Sequence, residues 1–350
     1  MPADAVARED DPSNERAIAR TFHHSAFTPA RLAMARAERG LSVSVCLPAR
    51  ECAGTVGEIV TALGALREAG VIDQIVVVDA DSQDGTALIA TRAGAEVRQE
   101  AELMPAHGPV LGKGDAMWRA LSVLEGEIVC FIDADSERFS AHFATGLLGP
   151  LLCEPDVAFV KGYYRRPLGG AGEPADGAAE AAAGASMAVD APPAGTEGGG
   201  RVNHLMARPA LALFYPQLAQ IRQPLAGEVA ARRELLERLP FATGYGVEIA
   251  MLIDAWRAVG IAQIAQVDLD EHHNRHQPLS ALSPMALTVL ATIARRLEQD
   301  GRLLPANAAS AEGSAMGAAA VASEAMDAAA DQVAALAPPE RPPLASLSVA

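Results

Sequence analysis

The stretch EGEIVCFIDADSE at 125–137 constrains this chain more than any other. Ile128 to Ile132 is a short, continuous apolar run rich in β-branched and aromatic residues, the pattern of a strand buried on both faces of a parallel sheet. Two carboxylates, Asp133 and Asp135, follow at once. Ligands of an open α/β sheet bind beyond the carboxyl ends of its strands, so both acids are delivered to where a ligand would sit. Residues i and i+2 share one side of a strand, and two carboxylates there repel unless a hard divalent cation lies near them. That arrangement suits a metal-bound diphosphate. Alone, an Asp-x-Asp is more often an acidic loop closing a core strand, so its company matters.

The neighbouring segments supply that company. LSVSVCLPAR (41–50) and QIVVVDADSQDGT (74–86) read as strands with polar exits. Between them Val56, Ile59, Val60, Leu63 and Leu66 recur at helical spacing up to Gly70, completing a βαβ unit. A short helix at 86–93, a strand at 95–98, a helix at 113–124, a helix at 140–152 and the strand VAFVKGYYRR (157–166) continue the alternation. It predicts an α/β fold, a mostly parallel sheet flanked by helices. Further on, 202–216, 229–238, 246–258 and 279–298 read as helices and 261–269 as a strand.

Composition sets limits. Twenty-eight Lys and Arg against 44 Asp and Glu give a net charge of −16, which argues against nucleic-acid binding. Any anion bound here needs a local basic pocket. No run of about 18 apolar residues occurs and the N-terminus has no apolar leader core, so a cytoplasmic protein without a membrane segment is expected. Cys46, Cys52, Cys130 and Cys153 lack metal-like spacing and read as reduced, structural thiols. Residues 169–200 hold 9 glycines and 11 alanines in 32 positions, a composition that cannot offset its ordering entropy and predicts a mobile loop. The alanine-rich tail beyond about 306, punctuated by PPERPP, predicts disorder.

Three strand exits thus carry acids or unusual residues: Pro48-Ala49-Arg50-Glu51, Asp79-Ala80-Asp81 and Asp133-Ala134-Asp135. If those strands are neighbours, their ends form one crevice suited to base and ribose hydroxyls plus a metal. A fourth element, GPVLGKGDAMW (108–118), sets Lys113 between two glycines before a helix, where a lysine and free amides can meet a phosphate. It is not a Walker motif, because Gly114 stands where Ser or Thr would be needed.

The order LPAR, DADSQDGT, GKGDAMWRAL, DADS, KGYYRRPL, GGGRV, QPLAGE, GYGVEI, EHHNR across 41–298 resembles the glucosyl-3-phosphoglycerate synthases, retaining glycosyltransferases of GT-A fold. The resemblance implies transfer of glucose from UDP-glucose to the 2-hydroxyl of 3-phosphoglycerate with retention of the α configuration, Mg²⁺ or Mn²⁺ as cofactor, and a homodimer. Together with the composition, it divides the chain into five parts: an N-terminal arm (1–40), a nucleotide-sugar-binding GT-A part (41–165), a flexible insertion (166–200), a largely helical acceptor-binding part (201–304) and a disordered tail (305–350).

Carried over motif by motif, Pro48, Ala49, Arg50, Glu51, Ala80, Lys113, Asp133 and Ala134 would hold the uridine diphosphate. Asp135 and His272 would bind the metal, Leu225 and Glu248 would meet the sugar, and Asp133 and Glu248 would serve catalysis. Gly200, Arg201, Asn203 and Asn274 would bind the acceptor, with Lys161, Arg165, Arg166 and Arg275 as further cationic supply. An exposed strand end explains one of the two adjacent arginines equally well. Two departures stand out: the turn after Pro48 reads Ala-Arg-Glu-Cys-Ala, displacing the acid expected at the nucleotide, and Asn203 replaces a threonine in the acceptor loop. The rival readings are a mannosyl-3-phosphoglycerate synthase using GDP-mannose and a catalytically silent sugar-nucleotide-binding module. For retention, Glu228 and Glu248 are the candidate nucleophiles, and same-face attack assisted by the leaving phosphate is the favoured route.

Overall fold

Among the described residues, eight strands pair into one sheet in the order β1-β9-β6-β7-β5-β2-β3-β4. They are β1 (Arg20–His23), β2 (Val43–Ala49), β3 (Gln74–Asp79), β4 (Glu96–Gln99), β5 (Ile128–Phe131), β6 (Phe159–Arg165), β7 (Val229–Arg232) and β9 (Ile264–Glu271). The computed structural model describes residues 19–166, 200–273, 279–303 and 338–347. Most of the Gly/Ala-rich insertion, Asn274, Arg275 and the tail from 304 to 337 lie outside them.

Every neighbouring pair is parallel except those made by β7. Alternation along the strands divides the core between two faces. Cys46, Val76, Val78, Val129 and Phe131 pack on one side with Trp118, Leu252 and Ile293; Val45, Leu47, Val77, Ile128 and Cys130 pack on the other with Ile59, Leu63 and Leu147. Helices α1 (Pro29–Arg39), α2 (Val56–Glu68), α3 (Thr86–Ala93) and α5 (His142–Cys153) flank the sheet together with α4 (Lys113–Ala120), α6 (Arg208–Phe214), α7 (Arg233–Leu236), α8 (Val247–Val259) and α9 (Leu279–Gln299). Helix α1 shows both end signals: Thr28 Oγ1 accepts from Arg31 N, Pro29 sits at the first position, and Gly40 closes it at φ +63°. All four cysteines are free.

Three expectations need correction. Residues 229–238 do not form one helix: Val229–Arg232 is the antiparallel strand β7 between β5 and β6, followed by the single turn α7. Alanine favours a helix locally, but here Ala230 and Ala231 are the small residues buried between two paired neighbours, and tertiary pairing overrides propensity. Because β7 runs against its neighbours, its first residues meet their carboxyl ends. The N-terminal arm is likewise no mere appendage, since β1 is the edge strand beside β9.

The tail is also not disordered throughout. Residues 338–347 lie along the body, where β10 (Glu340–Arg341) pairs with β8 (Phe241–Ala242). Charged side chains hold it: Arg341 donates to buried Asp115 at 2.6 and 2.7 Å, and Glu340 pairs with buried Arg296. The parts before and after the insertion therefore share one sheet, to which the later part gives β7 and β9.

Candidate active site

The exits of β2, β3 and β5 lie side by side, as strand order requires. Ala80 N donates to Ala49 O at 2.9 Å, and Ala134 O accepts from Thr55 Oγ1 at 2.6 Å. Glu51 N donates to Ser82 Oγ, and the Glu51 carboxylate accepts from Gln83 N, both at 2.9 Å. The displaced acid of this turn thus ties two strand exits together, while Arg50 is exposed. Glu51 and Asp81 hold left-handed backbone at φ +53° and +55°, strain of the kind that collects at ligand sites. Pro48 and Ala49 close β2.

Lys113 opens α4 beside Gly112 at φ +94°. The absent side chain at Gly114 has a packing reason: a Cβ there would stand 1.9 Å from Ala242 O of β8. That close approach carries Lys113 to two acids. Its Nζ lies 2.5 Å from Asp133 Oδ1 and 2.9 Å from Glu248 Oε1, in the first turn of α8. Burial opposes the charge, but the two carboxylates outweigh it and raise the ammonium well above its ordinary value. Behind Asp133, Gly227 leaves no room for a side chain, since a Cβ would stand 2.1 Å from the Asp133 carboxylate.

The start of β7 brings Glu228 to the same crevice, where its carbonyl accepts from Gly162 N. Its carboxylate is fully buried, and neither oxygen has a hydrogen bond. His272 Nε2 stands 3.2 Å away and bonds Ser136 Oγ at 2.8 Å, while His272 Nδ1 is buried without a partner. The imidazole stacks on Tyr164 at 4.5 Å between ring centres. Burial works against charge on Glu228, yet His272 holds its carboxyl well below the usual carboxylate range. Asp135 is pushed up, first by desolvation and then by the like charge of Asp133.

These observations fit a divalent cation. Asp135 and His272 offer an oxygen and a nitrogen; the Nδ1 of that imidazole is unpaired, and the buried Glu228 carboxylate stands 3.2 Å from its Nε2. Ser136 and Tyr164 escaped sequence reasoning. Only the strand period around the KGYYRR motif could have flagged the tyrosine.

Asn203 sits in a π-helical turn (Asn203–Ala207), almost fully buried. It donates through Nδ2 to Arg222 O at 3.2 Å, and its Oδ1 is 3.5 Å from Leu225 N. The amide that replaces threonine therefore braces the 222–225 segment bearing Leu225. Gly200 enters the turn at φ +76°, and Arg201 follows it. Of the paired arginines, Arg165 is the exposed strand end, and Arg166 lies over the Tyr164 ring and donates to its hydroxyl at 2.9 Å. Lys161 is buried and donates to Ala226 O at 2.5 Å, so it braces the β7 approach.

A mostly parallel α/β sheet with an Asp-x-Asp exit, a lysine brace and a carboxylate–imidazole pair at its carboxyl edge defines a metal-dependent nucleotide-sugar glycosyltransferase of GT-A fold. The model of glycosyl transferase family 2 matches residues 44–174. A glucosyl-3-phosphoglycerate synthase of Petrotoga mobilis is 39% identical over 82% of this chain and 83% of its own length. The synthase of Mycolicibacterium paratuberculosis is 39% identical over 83% and 82%.

Among solved structures, a mannosyl-3-phosphoglycerate synthase of Rubrobacter xylanophilus superposes with a TM-score of 0.71 at 48% identity, covering 81% of this chain and 83% of that one. The Mycobacterium tuberculosis glucosyl-3-phosphoglycerate synthase, solved with Mn²⁺, UDP-glucose and phosphoglyceric acid, gives 0.68 at 37% over 81% and 88%. The chain belongs to the glucosyl-3-phosphoglycerate synthase family.

Proposed function

We propose that this chain transfers glucose from UDP-glucose to the 2-hydroxyl of 3-phosphoglycerate, with retention of the α configuration and with Mg²⁺ or Mn²⁺ held by Asp135 and His272. The observation that carries it is the Lys113 ammonium between Asp133 and Glu248 at the strand exits, beside the buried Glu228–His272 pair whose ring Nδ1 is unpaired. A relative solved with Mn²⁺, UDP-glucose and phosphoglyceric acid, and again with Mg²⁺ and UDP, supports the same assignment.

Each residue has a task. The exits at Pro48–Glu51, Ala80 and Ala134 frame the nucleotide. Lys113 meets charge developing on the departing diphosphate, where an oriented cation in a water-poor site lowers the barrier most. A divalent cation on Asp135 and His272 supplies further positive charge to that diphosphate. Arg201, Arg166, Gly200 and Asn274 would receive the anionic acceptor, with Asn203 shaping the wall.

Same-face attack accounts for retention. Glu248 is engaged with Lys113 and Glu228 lies buried behind His272, so neither presents a free carboxylate to the sugar. The leaving phosphate oxygen is then the base nearest the acceptor hydroxyl.

The 48% identity to a mannosyl-3-phosphoglycerate synthase favours a second reading, the same transfer from GDP-mannose. Turnover of 3-phosphoglycerate with both donors, each with Mg²⁺ and Mn²⁺, separates the two. α-Glucosyl product by NMR supports the first reading and α-mannosyl product the second. Product from neither donor would leave only a silent nucleotide-binding module. A homodimer in the cytoplasm completes the proposal; among the described residues no helix is long and apolar enough to cross a membrane.

A further inference from the structure

We propose that His23, His24 and Asp270 form a second metal site, suited to Zn²⁺ and separate from the active site. One ligand atom from each residue lies within 4.8 Å of the other two. His24 Nε2 stands 2.6 Å from Asp270 Oδ2, and His23 Nε2 stands 3.4 Å from Asp270 Oδ1. Ligands at tetrahedral positions on zinc are separated by about 3.3 Å, given bonds of about 2.0–2.1 Å. His23 sits near that separation from Oδ1, and His24, against the other oxygen Oδ2, must move out by about 0.7 Å.

The fold brings these side chains together in a way a regular strand would not. Consecutive residues of a strand point to opposite faces. Here β1 ends at His23 and the chain turns into a 3-10 turn at His24–Ala26, so both imidazoles reach one carboxylate. On the other side Asp270 takes left-handed backbone at φ +63°, unusual for a residue with a Cβ, while its N donates to Asp268 Oδ1 at 3.0 Å.

Surrounding groups hold the rings. His24 packs between His23 and His142, with ring centres 4.4 and 4.3 Å away. His142 is committed elsewhere, its Nε2 lying 3.0 Å from Leu269 O. His23 Nδ1 is 2.7 Å from Ser25 Oγ, which can accept a hydrogen bond from Nδ1–H and so leave Nε2 for a metal, at the loss of the Ser25 amide contact. Arg165 stands 3.8 Å from Asp270 Oδ1, is mostly exposed, and can swing away.

Two imidazoles and one carboxylate make a borderline donor set that selects zinc over magnesium and leaves a fourth position for water. The site would pin the edge strand β1 to the end of β9, two residues before His272. It uses none of the residues assigned to transfer.

The test counts zinc in full-length protein by calorimetry with ZnCl₂ in excess Mg²⁺. His272→Ala is the background, so the active-site imidazole does not contribute. One equivalent should bind in that background, and its affinity should fall at least tenfold in the triple variant His23→Ala/His24→Ala/His272→Ala. Asp270→Asn in the same background should also weaken it, which keeps the test open if the triple variant folds poorly. Equal stoichiometry and affinity across these proteins would overturn the site. So would a lower melting temperature in the variants with no zinc-dependent difference, since the cluster would then be only a hydrogen-bonded lock. Turnover, measured separately, tests the transfer reading alone.

Discussion

The side of the crevice proposed for the donor and the side proposed for the metal are built in opposite ways. Around β2, β3 and β5 most polar groups answer one another, with buried Asp79 Oδ1 the exception: Glu51 bonds Gln83, Thr55 bonds Ala134, and Lys113 sits between two carboxylates. Across the crevice, on β6, β7 and β9, Glu228 is buried without a hydrogen bond, His272 leaves a ring nitrogen orphaned, and Lys161 has its pKa driven down. Unpaired buried polar groups are costly, and a fold keeps them where a ligand will satisfy them. One side is preorganised, and the other is completed by what binds.

Lys113→Met breaks the donor side most directly. It removes the only cation within 4 Å of the Asp133 and Glu248 carboxylates among the described residues. Loss of one oriented charge at a leaving group costs about 10²–10³ in kcat/KM. Steady-state kinetics with the donor varied should show that fall, with kcat carrying most of it; a fall confined to KM would make Lys113 a ground-state contact only.

Glu228→Gln sharpens the other side. It keeps the shape and removes the buried charge behind His272. Groups that orient metal ligands are worth about 10–100-fold in metal affinity. The Mn²⁺ dissociation constant should rise by that factor, while the metal-free melting temperature moves little. An unchanged dissociation constant would detach Glu228 from the metal.

The same contrast explains what could be read from the sequence. Donor-side motifs were legible because each strand and its exit are contiguous: Asp133 follows the strand that delivers it, and Lys113 opens its own helix. The metal side depends on distant pairing. β7 looked helical because alanines give no sign that β5 and β6 will flank them, and Ser136 and Tyr164 matter only through a histidine more than a hundred residues away in the chain. Asn203 was expected at the acceptor, but its amide faces Arg222 O. The 338–347 segment was illegible for another reason: it is held by ions and one short strand pairing, whose partners Asp115 and Arg296 are themselves buried charges that pattern reading places on a surface.

That segment gives a smaller test of donor-side order. Arg341 grips Asp115 and the carbonyls of His107 and Pro109, bracing the loop that leads to Lys113. Arg341→Ala leaves Asp115 with Arg119, so the loss is partial, about 1–3 kcal/mol. Denaturant unfolding should show it, with a matching rise in donor KM; lost stability at constant KM would make the segment a staple without influence on the crevice.

Lys161→Met leaves the transfer groups in place, and pH exposes its effect. Burial lowers the lysine from an ordinary 10.5 to about 8, against the opposing pull of Glu248. Below pH 8 both folded and unfolded chains carry the proton, and the full cost of burying the charge is present. Between 8 and 10.5 the unfolded chain holds a proton that the folded chain has released, so folding stability gains as pH rises through that window. In metal-free buffer the unfolding free energy of the parent should therefore climb relative to the methionine variant between pH 8 and 10, because other titrating groups cancel in the difference. A gap that stays flat across that range would mean the ammonium remains charged beside Ala226, and the metal side would then be better compensated than the donor side comparison requires.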